Sequence, residues 1–117
     1  MYDWTIEEVL QRVITIHDAR LATRLGNSGD IRAVDALLCA LQTPPLFPDV
    51  PEPIFRYYAV RALGRLGDAR AIPLLEQIQA QEVEPVLKGR SISTMAQRAI
   101  ERIRTQTPLK TDTNRDR

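Results

Sequence analysis

The chain offers little for redox, metal or secretory chemistry. Its 117 residues include one cysteine and one histidine. A lone Cys39 closes no internal disulfide, whereas a small secreted fold usually carries several. A lone His17 cannot build the multi-histidine sites that hold zinc or iron, so its expected place is structural or solvent-facing. The opening MYDWTIEEVL lacks the basic and apolar regions of a signal peptide. No apolar run approaches the ~18 residues that a membrane span needs. These absences make the chain read as soluble and cytoplasmic. GRLGD and GNSGD fit helix ends and match neither phosphate-loop pattern, GxxxxGK or GxGxxG. No serine, histidine and aspartate combine with a nucleophile turn. The few β-branched residues fall on helical spacing, so no strand is expected. No cofactor or enzymatic activity is expected.

Charge of one sign is also missing. Sixteen basic residues face fifteen acidic ones, for a net charge of +1. A dedicated nucleic-acid binder usually carries a strongly basic face, so nucleic acid is not the expected partner. The length suits one small domain, and an apolar content of 44% is enough for a core. Fourteen of the sixteen basic residues are arginine, the side chain suited to planar, bidentate pairing with carboxylates.

Helical spacing dominates what is present. Residues 3–14 predict a first helix. Thr5 and Glu8 form a capping box, and Ile6, Val9, Leu10, Val13 and Ile14 lie on one stripe. The pattern continues through Ala22 and Leu25, either as one long helix or as two with a break near Asp18. GNSG at 26–29 ends it. Asp30 then caps a helix whose buried face is Val34, Leu37, Leu38 and Leu41. Five of the eight prolines lie at 44, 45, 48, 51 and 53, so residues 42–53 form an inter-repeat loop. Leu46 and Phe47 are its unexplained apolar members.

Residues 54–66 predict a helix buried through Phe55, Ala59, Ala62, Leu63 and Leu66. Gly67-Asp68 repeats the stop-and-cap signal. Residues 71–80 follow, with Ile72, Leu75 and Ile78 inside and Pro73 tolerated in the first turn. A last helix starts near Ser93 or Thr94, where Thr94 and Gln97 repeat the capping-box spacing, and buries Ala96, Ala99, Ile100 and Ile103. The domain is expected to span 1–104. The polar tail 105–117 lacks periodicity and reads as disordered.

The chain also writes one phrase twice. Leu25-Gly26, Gly29-Asp30, Arg32-Ala33-Val34 and Leu37 fall on Leu63-Gly64, Gly67-Asp68, Arg70-Ala71-Ile72 and Leu75 at an offset of 38, and AQRAIERI matches AVRALGRL at 37. A period in this range signals a helical solenoid, in which each helix pair buries its remaining apolar face on the next. The fold class is therefore all-α, with about two and a half helix pairs after an N-terminal helix.

AVRALGRLGDARAIPLL at 59–75 resembles the HEAT-like repeats named after the phycobilisome lyases, which carry a VR–AL–LG–GD–A–P–L pattern. The matching residues are Val60-Arg61, Ala62-Leu63, Leu66-Gly67-Asp68, Arg70-Ala71-Ile72-Pro73 and Leu75. The copy at 22–38 departs at Thr23 and Asp35. The resemblance covers roughly 15–104 outside the proline loop and implies a right-handed solenoid. It leaves function open, because the repeat serves many unrelated proteins. Deoxyhypusine hydroxylases use similar repeats with His-Glu motifs to hold iron, and this chain has no His-Glu step.

Candidate binding residues follow from the repeat. If first helices lie on the convex side and second helices on the concave side, the concave surface presents Asp35, Ala36 and Cys39, then Glu76, Gln77 and Ala80. Cys39 lies beside the buried stripe, without the helix N-terminus or cationic neighbour that lowers a thiol pKa. Arg61, Arg65, Arg98 and Arg102 recur at i,i+4 on equivalent helices, with Arg56, Arg90 and Arg104 nearby. Stacking would gather them into a basic stripe for an acidic protein or phosphate, or into ion pairs with Glu101, Asp68 and Asp30. Asp30 and Asp68 are expected as helix caps, worth about 1 kcal/mol each. Leu46, Phe47, Tyr57, Tyr58 and Trp4 are the apolar or aromatic residues least explained by the helix stripes and are candidate interface anchors, unless Leu46 and Phe47 fold back over a helix end to seal the core.

The expected function is a non-catalytic protein-binding module or small adaptor that uses a solenoid surface. The alternative suggested by the resemblance is an accessory subunit or chaperone of a bilin lyase acting on phycobiliproteins. A third is a nucleic-acid module. Uncapped apolar repeat ends would also favour self-association.

Overall fold

A computed structural model describes residues 4–44, 52–81, 85–87 and 90–106. It is all-α among the described residues: five helices stack behind a short N-terminal helix. Helix α1 is Ile6–Arg12, α2 Ala19–Ser28, α3 Arg32–Leu41, α4 Glu52–Leu66, α5 Ile72–Gln81 and α6 Ile92–Gln106. A single 3-10 turn, Ala69–Ala71, leads into α5. The one departure from the expected absence of strands is a short antiparallel ladder, β1 (Pro85–Leu87) with β2 (Arg90–Ser91). It sits in the α5–α6 connection, where no helical periodicity specifies the backbone.

The helix ends show why these segments form. Thr5 Oγ1 accepts from the Glu8 N–H at 3.2 Å, and Glu8 Oε1 accepts from the Thr5 N–H at 2.9 Å, closing the capping box. The helical pattern does break at Asp18. Its Oδ1 accepts from the Arg20 N–H at 2.8 Å and starts α2. Asp30 does the same for the Arg32 N–H at 2.9 Å, and Asp68 for the Arg70 N–H at 2.8 Å. In all three places the capping aspartate also pairs with the guanidinium two residues on, at 2.9, 2.6 and 3.1 Å. Gly29 and Gly67 take φ of 70° and 73°, the left-handed conformation that ends a helix at little cost only for glycine.

Helix α6 starts earlier than expected. Ser91 Oγ, not Thr94, is the capping acceptor and takes the Thr94 N–H at 3.1 Å. At its other end α6 runs to Gln106, so Thr105 and Gln106 belong to the helix rather than to a tail. Glu52 and Pro53 likewise belong to α4, which shortens the proline loop. Residues 45–51 and 107–117, including Leu46 and Phe47, lie outside the described residues.

The first helices of the repeats, α2, α4 and α6, pack side by side as one layer. Helix α5 packs on α6, and α3 on α4. Two close approaches set the spacing of that layer. A Cβ added to Gly26 would lie 2.8 Å from Ala62 Cα and Cβ, and one added to Gly64 would lie 2.9 Å from Ala99 Cα and Cβ. These are the same contact one repeat apart. Glycine on one helix faces alanine on the next because neither backbone can retreat without opening the core.

That core comprises Leu21, Leu25, Val34, Leu37, Phe55, Leu63, Leu75, Ile78, Ile100 and Ile103, among others. Helix α4 lies between α2 and α6, so both its flanks are covered. This places Tyr57 at 3% exposure, correcting the expectation that it is a binding residue at the surface. Ala36, expected on an outward face, is 7% exposed and belongs to the core, whereas Leu38 is only half-buried. His17 is buried, stacks on Phe55 with ring centroids 4.4 Å apart, and its Nε2–H donates to the Ile14 carbonyl at 2.9 Å. It closes the end of α1 against the start of α4.

The expected apolar open end is absent among the described residues. Helix α6 buries Ile92, Ala96, Ala99, Ile100 and Ile103 within the chain, and its outer face is Gln97, Arg98, Glu101, Arg102, Arg104 and Thr105. This polar face is what a capping helix of a solenoid requires. The one large exposed apolar side chain among the described residues is Ile31, at a turn. Among the described residues the α6 end therefore presents no apolar face of that kind.

Two outcomes follow. Gly64→Ala is expected to lower stability by roughly 1–3 kcal/mol, the cost of overpacking a tight contact, despite alanine's better helix propensity. A urea midpoint at or above that of the parent chain would show that the helices are not held this close. The second concerns pH. The Arg32 side chain, then its backbone N–H, hold the Asp30 carboxyl below the ordinary carboxylate range. Because the folded value is the lower one, the stabilisation is present above the unfolded value, about 4, and is lost as pH falls through the folded value. The stability gap between the parent and Asp30→Asn should therefore be constant near neutrality and shrink in acid. An unchanged gap at the acid end of a pH series of denaturation curves would contradict it.

Candidate functional site

The layer of first helices carries two grooves that meet at Arg61. The wider, of about 1120 Å³, lies between α1 and the α2–α4 seam, with Trp4, Ile6, Leu21 and Tyr58 as its apolar floor and Arg20, Arg24 and Arg61 around it. The narrower, of about 540 Å³, follows the α4–α6 seam between Arg61, Arg65, Arg98 and Arg102, with Met95 and Gly64 beneath. The seams are shallow channels because glycine and alanine, at the close approaches, fill them so little.

The repeat puts the arginines in register. Arg61 and Arg65 are one turn apart on α4. Arg98 and Arg102 are one turn apart on α6, each 37 positions on from its counterpart. On α2 the equivalent positions are Thr23 and Asn27, and Arg65 Nη1 donates to Asn27 Oδ1 across the seam. Arg61 sits over the Tyr58 ring, its guanidinium carbon 6.0 Å from the centroid. Stacking therefore gathers Arg61, Arg65, Arg98 and Arg102 as the spacing suggested.

The expected ion pairs for these four do not form. Asp30 is held by Arg32, and Asp68 by Arg70. Glu101, the one carboxylate in the narrower groove, accepts from Gln97 Nε2 at 3.4 Å. The remaining arginines of the sequence reading are occupied elsewhere. Arg56 Nη1 donates to the Leu41 carbonyl at 3.0 Å, satisfying the end of α3, and Arg104 pairs with Glu76 at 3.2 Å. The Arg90 side chain lies outside the described set.

The second helices present a different surface. Asp35, Cys39, Glu76 and Gln77 are all exposed, but two of them are engaged. Asp35 pairs with Arg70 at 3.2 Å, bridging α3 to the turn before α5, and Glu76 pairs with Arg104, bridging α5 to α6. Asp68 and, behind it, Asp35 raise the Arg70 pKa above the usual guanidinium value. Cys39 is a free thiol whose Sγ lies 3.8 Å from Thr43 Oγ1. Of the residues expected to bind, then, Arg61 and Arg65 share a groove, Asp35 and Glu76 stitch the repeats together, and Tyr57 is core.

Sequence reasoning missed Arg24 and Asn27 as groove residues. The offset of 38 between Asn27 and Arg65 was the available signal. Trp4, just before α1, and Tyr58, on α4, singled out as unexplained aromatics, line one basin although 54 residues apart. Among the described residues no three His, Cys, Asp or Glu side chains converge as a metal site, and no helix is long and apolar enough to cross a membrane.

No curated protein and no solved structure matches the chain. Residues 55–87, in α4, α5 and the connection after them, match the family model of the PBS lyase HEAT-like repeat.

Proposed function

We propose that the chain is a non-catalytic protein-binding module, and that it works through the grooved layer of its first helices. HEAT-like repeats are typically protein-interaction units. The single observation that carries the choice of face is the set of groove arginines, of which Arg61, Arg98 and Arg102 have no carboxylate partner among the described residues. Isolated guanidiniums arranged on a rigid helix layer are poised for an acidic surface. The second-helix face, by contrast, spends Asp35 and Glu76 on internal pairs.

A second reading keeps the bilin-lyase accessory role. Support comes from the wider basin, where an apolar floor of Trp4, Leu21 and Tyr58 is ringed by Arg20, Arg24 and Arg61. Such a site suits a planar ligand with carboxylate arms. Co-expression with a bilin supply separates the two readings. A visible bilin band on the purified chain supports the second, and none, alone or with a partner subunit, contradicts it.

For the first reading the test is affinity capture of the tagged chain from its native lysate, with cross-linking and mass spectrometry. One enriched protein, cross-linked beside the groove on α2, α4 or α6, is expected. Capture of nothing but the chain itself would contradict a binding module, and cross-links confined to α3 and α5 would move the face.

A further inference from the structure

We infer that the groove takes an acidic, partly apolar segment of a partner protein, its carboxylates on Arg61, Arg65, Arg98 and Arg102 and an apolar side chain against Trp4 and Tyr58. This rests on the binding-module reading and names the partner's chemistry. The four arginines form a quadrilateral. Along each helix the pair is four residues apart, ~6 Å of rise. Across the seam the helix axes are ~8–10 Å apart, and less where glycine faces alanine.

An extended chain advances ~3.3 Å per residue. Carboxylates two or three residues apart therefore reach successive guanidiniums as the segment crosses from α6 to α4. Continuing past Arg61, which lines both grooves, the segment meets the apolar basin. A partner that was only acidic would leave that basin open to water, and one that was only apolar would leave the arginines unpaired.

The charge pattern is costly unless something answers it. Arg61 with Arg65, and Arg98 with Arg102, are like-charge pairs at i,i+4, which weaken their own helices. Elsewhere the chain pairs its arginines closely: Arg20, Arg32, Arg70 and Arg104 all have carboxylates within 3.5 Å. Among the described residues none of the four groove arginines has such a carboxylate. A duplex or single-stranded nucleic acid is the weaker match. The net charge of +1 provides no broad positive field, Glu101 stands inside the narrower groove, and the channel ends in an apolar basin rather than in more cations.

The test uses the whole chain and a fluorescein-labelled peptide of glutamates flanking a central Phe-Leu pair, read by anisotropy. Saturable binding is expected. It should weaken at least about tenfold, or 1.4 kcal/mol, in Arg98→Glu/Arg102→Glu, and in parent chain given the peptide with Gln for Glu. Alanine for Phe-Leu, or Tyr58→Ala, should weaken it as well. Arg104→Glu, a single charge reversal on the same helix but facing Glu76, should leave it within about twofold, below the ~1 kcal/mol that marks an interface contact, whereas Arg98→Glu alone should already weaken it beyond that. Arg98→Gln/Arg102→Gln, matched to the parent by circular dichroism, removes the charge without reversing it and should follow the Glu variant.

Equal binding by parent and Arg98→Glu/Arg102→Glu overturns the proposal. So does tighter binding of a random DNA duplex than of the peptide, with a steep salt slope. If the peptide does not bind while lysate capture still cross-links a protein to another face, the acidic segment is refuted and the module reading stands. If capture fails too, both fall.

Discussion

Two backbone contacts hold this structure to its shape. Where Gly26 meets Ala62, and again where Gly64 meets Ala99, neighbouring helices come so close that a single added methyl would collide with main chain. The helix pairs stack only because these positions carry almost no side chain. Close stacking then has consequences on both sides of the layer. Inward, it lets Leu25, Leu63 and Ile103 share one core. Outward, it leaves shallow seams rather than ridges, and the residues flanking those seams come into register across three helices.

The polar features cooperate with that spacing. Each aspartate that starts a helix does two things at once, accepting a backbone N–H and holding the arginine two residues on. Turns built this way are short, and their arginines also reach a neighbouring element, Arg32 to Glu7 and Arg70 to Asp35. Among the described residues the inter-repeat polar contacts include Arg65 on Asn27, Arg56 on the Leu41 carbonyl, Ser93 Oγ on the Gln79 carbonyl at 2.9 Å, Arg70 on Asp35 and Arg104 on Glu76. As exposed pairs the last two contribute little to stability, and their effect is to orient neighbouring helices and to occupy the second-helix surface.

Much of this was legible beforehand, and the reasons for the misses are physical. The offset of 38 located the helix pairs, and the capping box at Thr5, the cap at Asp68 and the glycines at 29 and 67 stand where their chemistry placed them. Periodicity tells which side of one helix is apolar. It does not tell which helices will flank it. Tyr57 looked like an exposed aromatic because it lies off the Phe55–Ala59–Leu63 stripe, yet α4 is flanked on both sides and has little surface to spare. Ala36 was misplaced for the same reason. Thr94 and Gln97 had the spacing of a capping box, but Ser91 lay one turn earlier and took the N–H first. The alignment of Arg61 with Arg98 was visible in the repeat. That the seam between them would be a groove depended on Gly64 and Ala99, whose meaning appears only when the two helices touch.

The first-helix layer, where Arg61, Arg98 and Arg102 have no carboxylate partner among the described residues, is the working face proposed for this chain. Amide chemical-shift mapping of the ¹⁵N-labelled chain tests it most directly, during titration with a peptide of glutamates around a central Phe-Leu pair. Shifts concentrated on the groove-facing turns of α2, α4 and α6, around Asn27, Arg61, Arg65, Arg98 and Arg102, are the predicted result. Shifts concentrated on α3 and α5, around Asp35, Cys39, Glu76 and Gln77, would contradict it and return the binding face to the second helices.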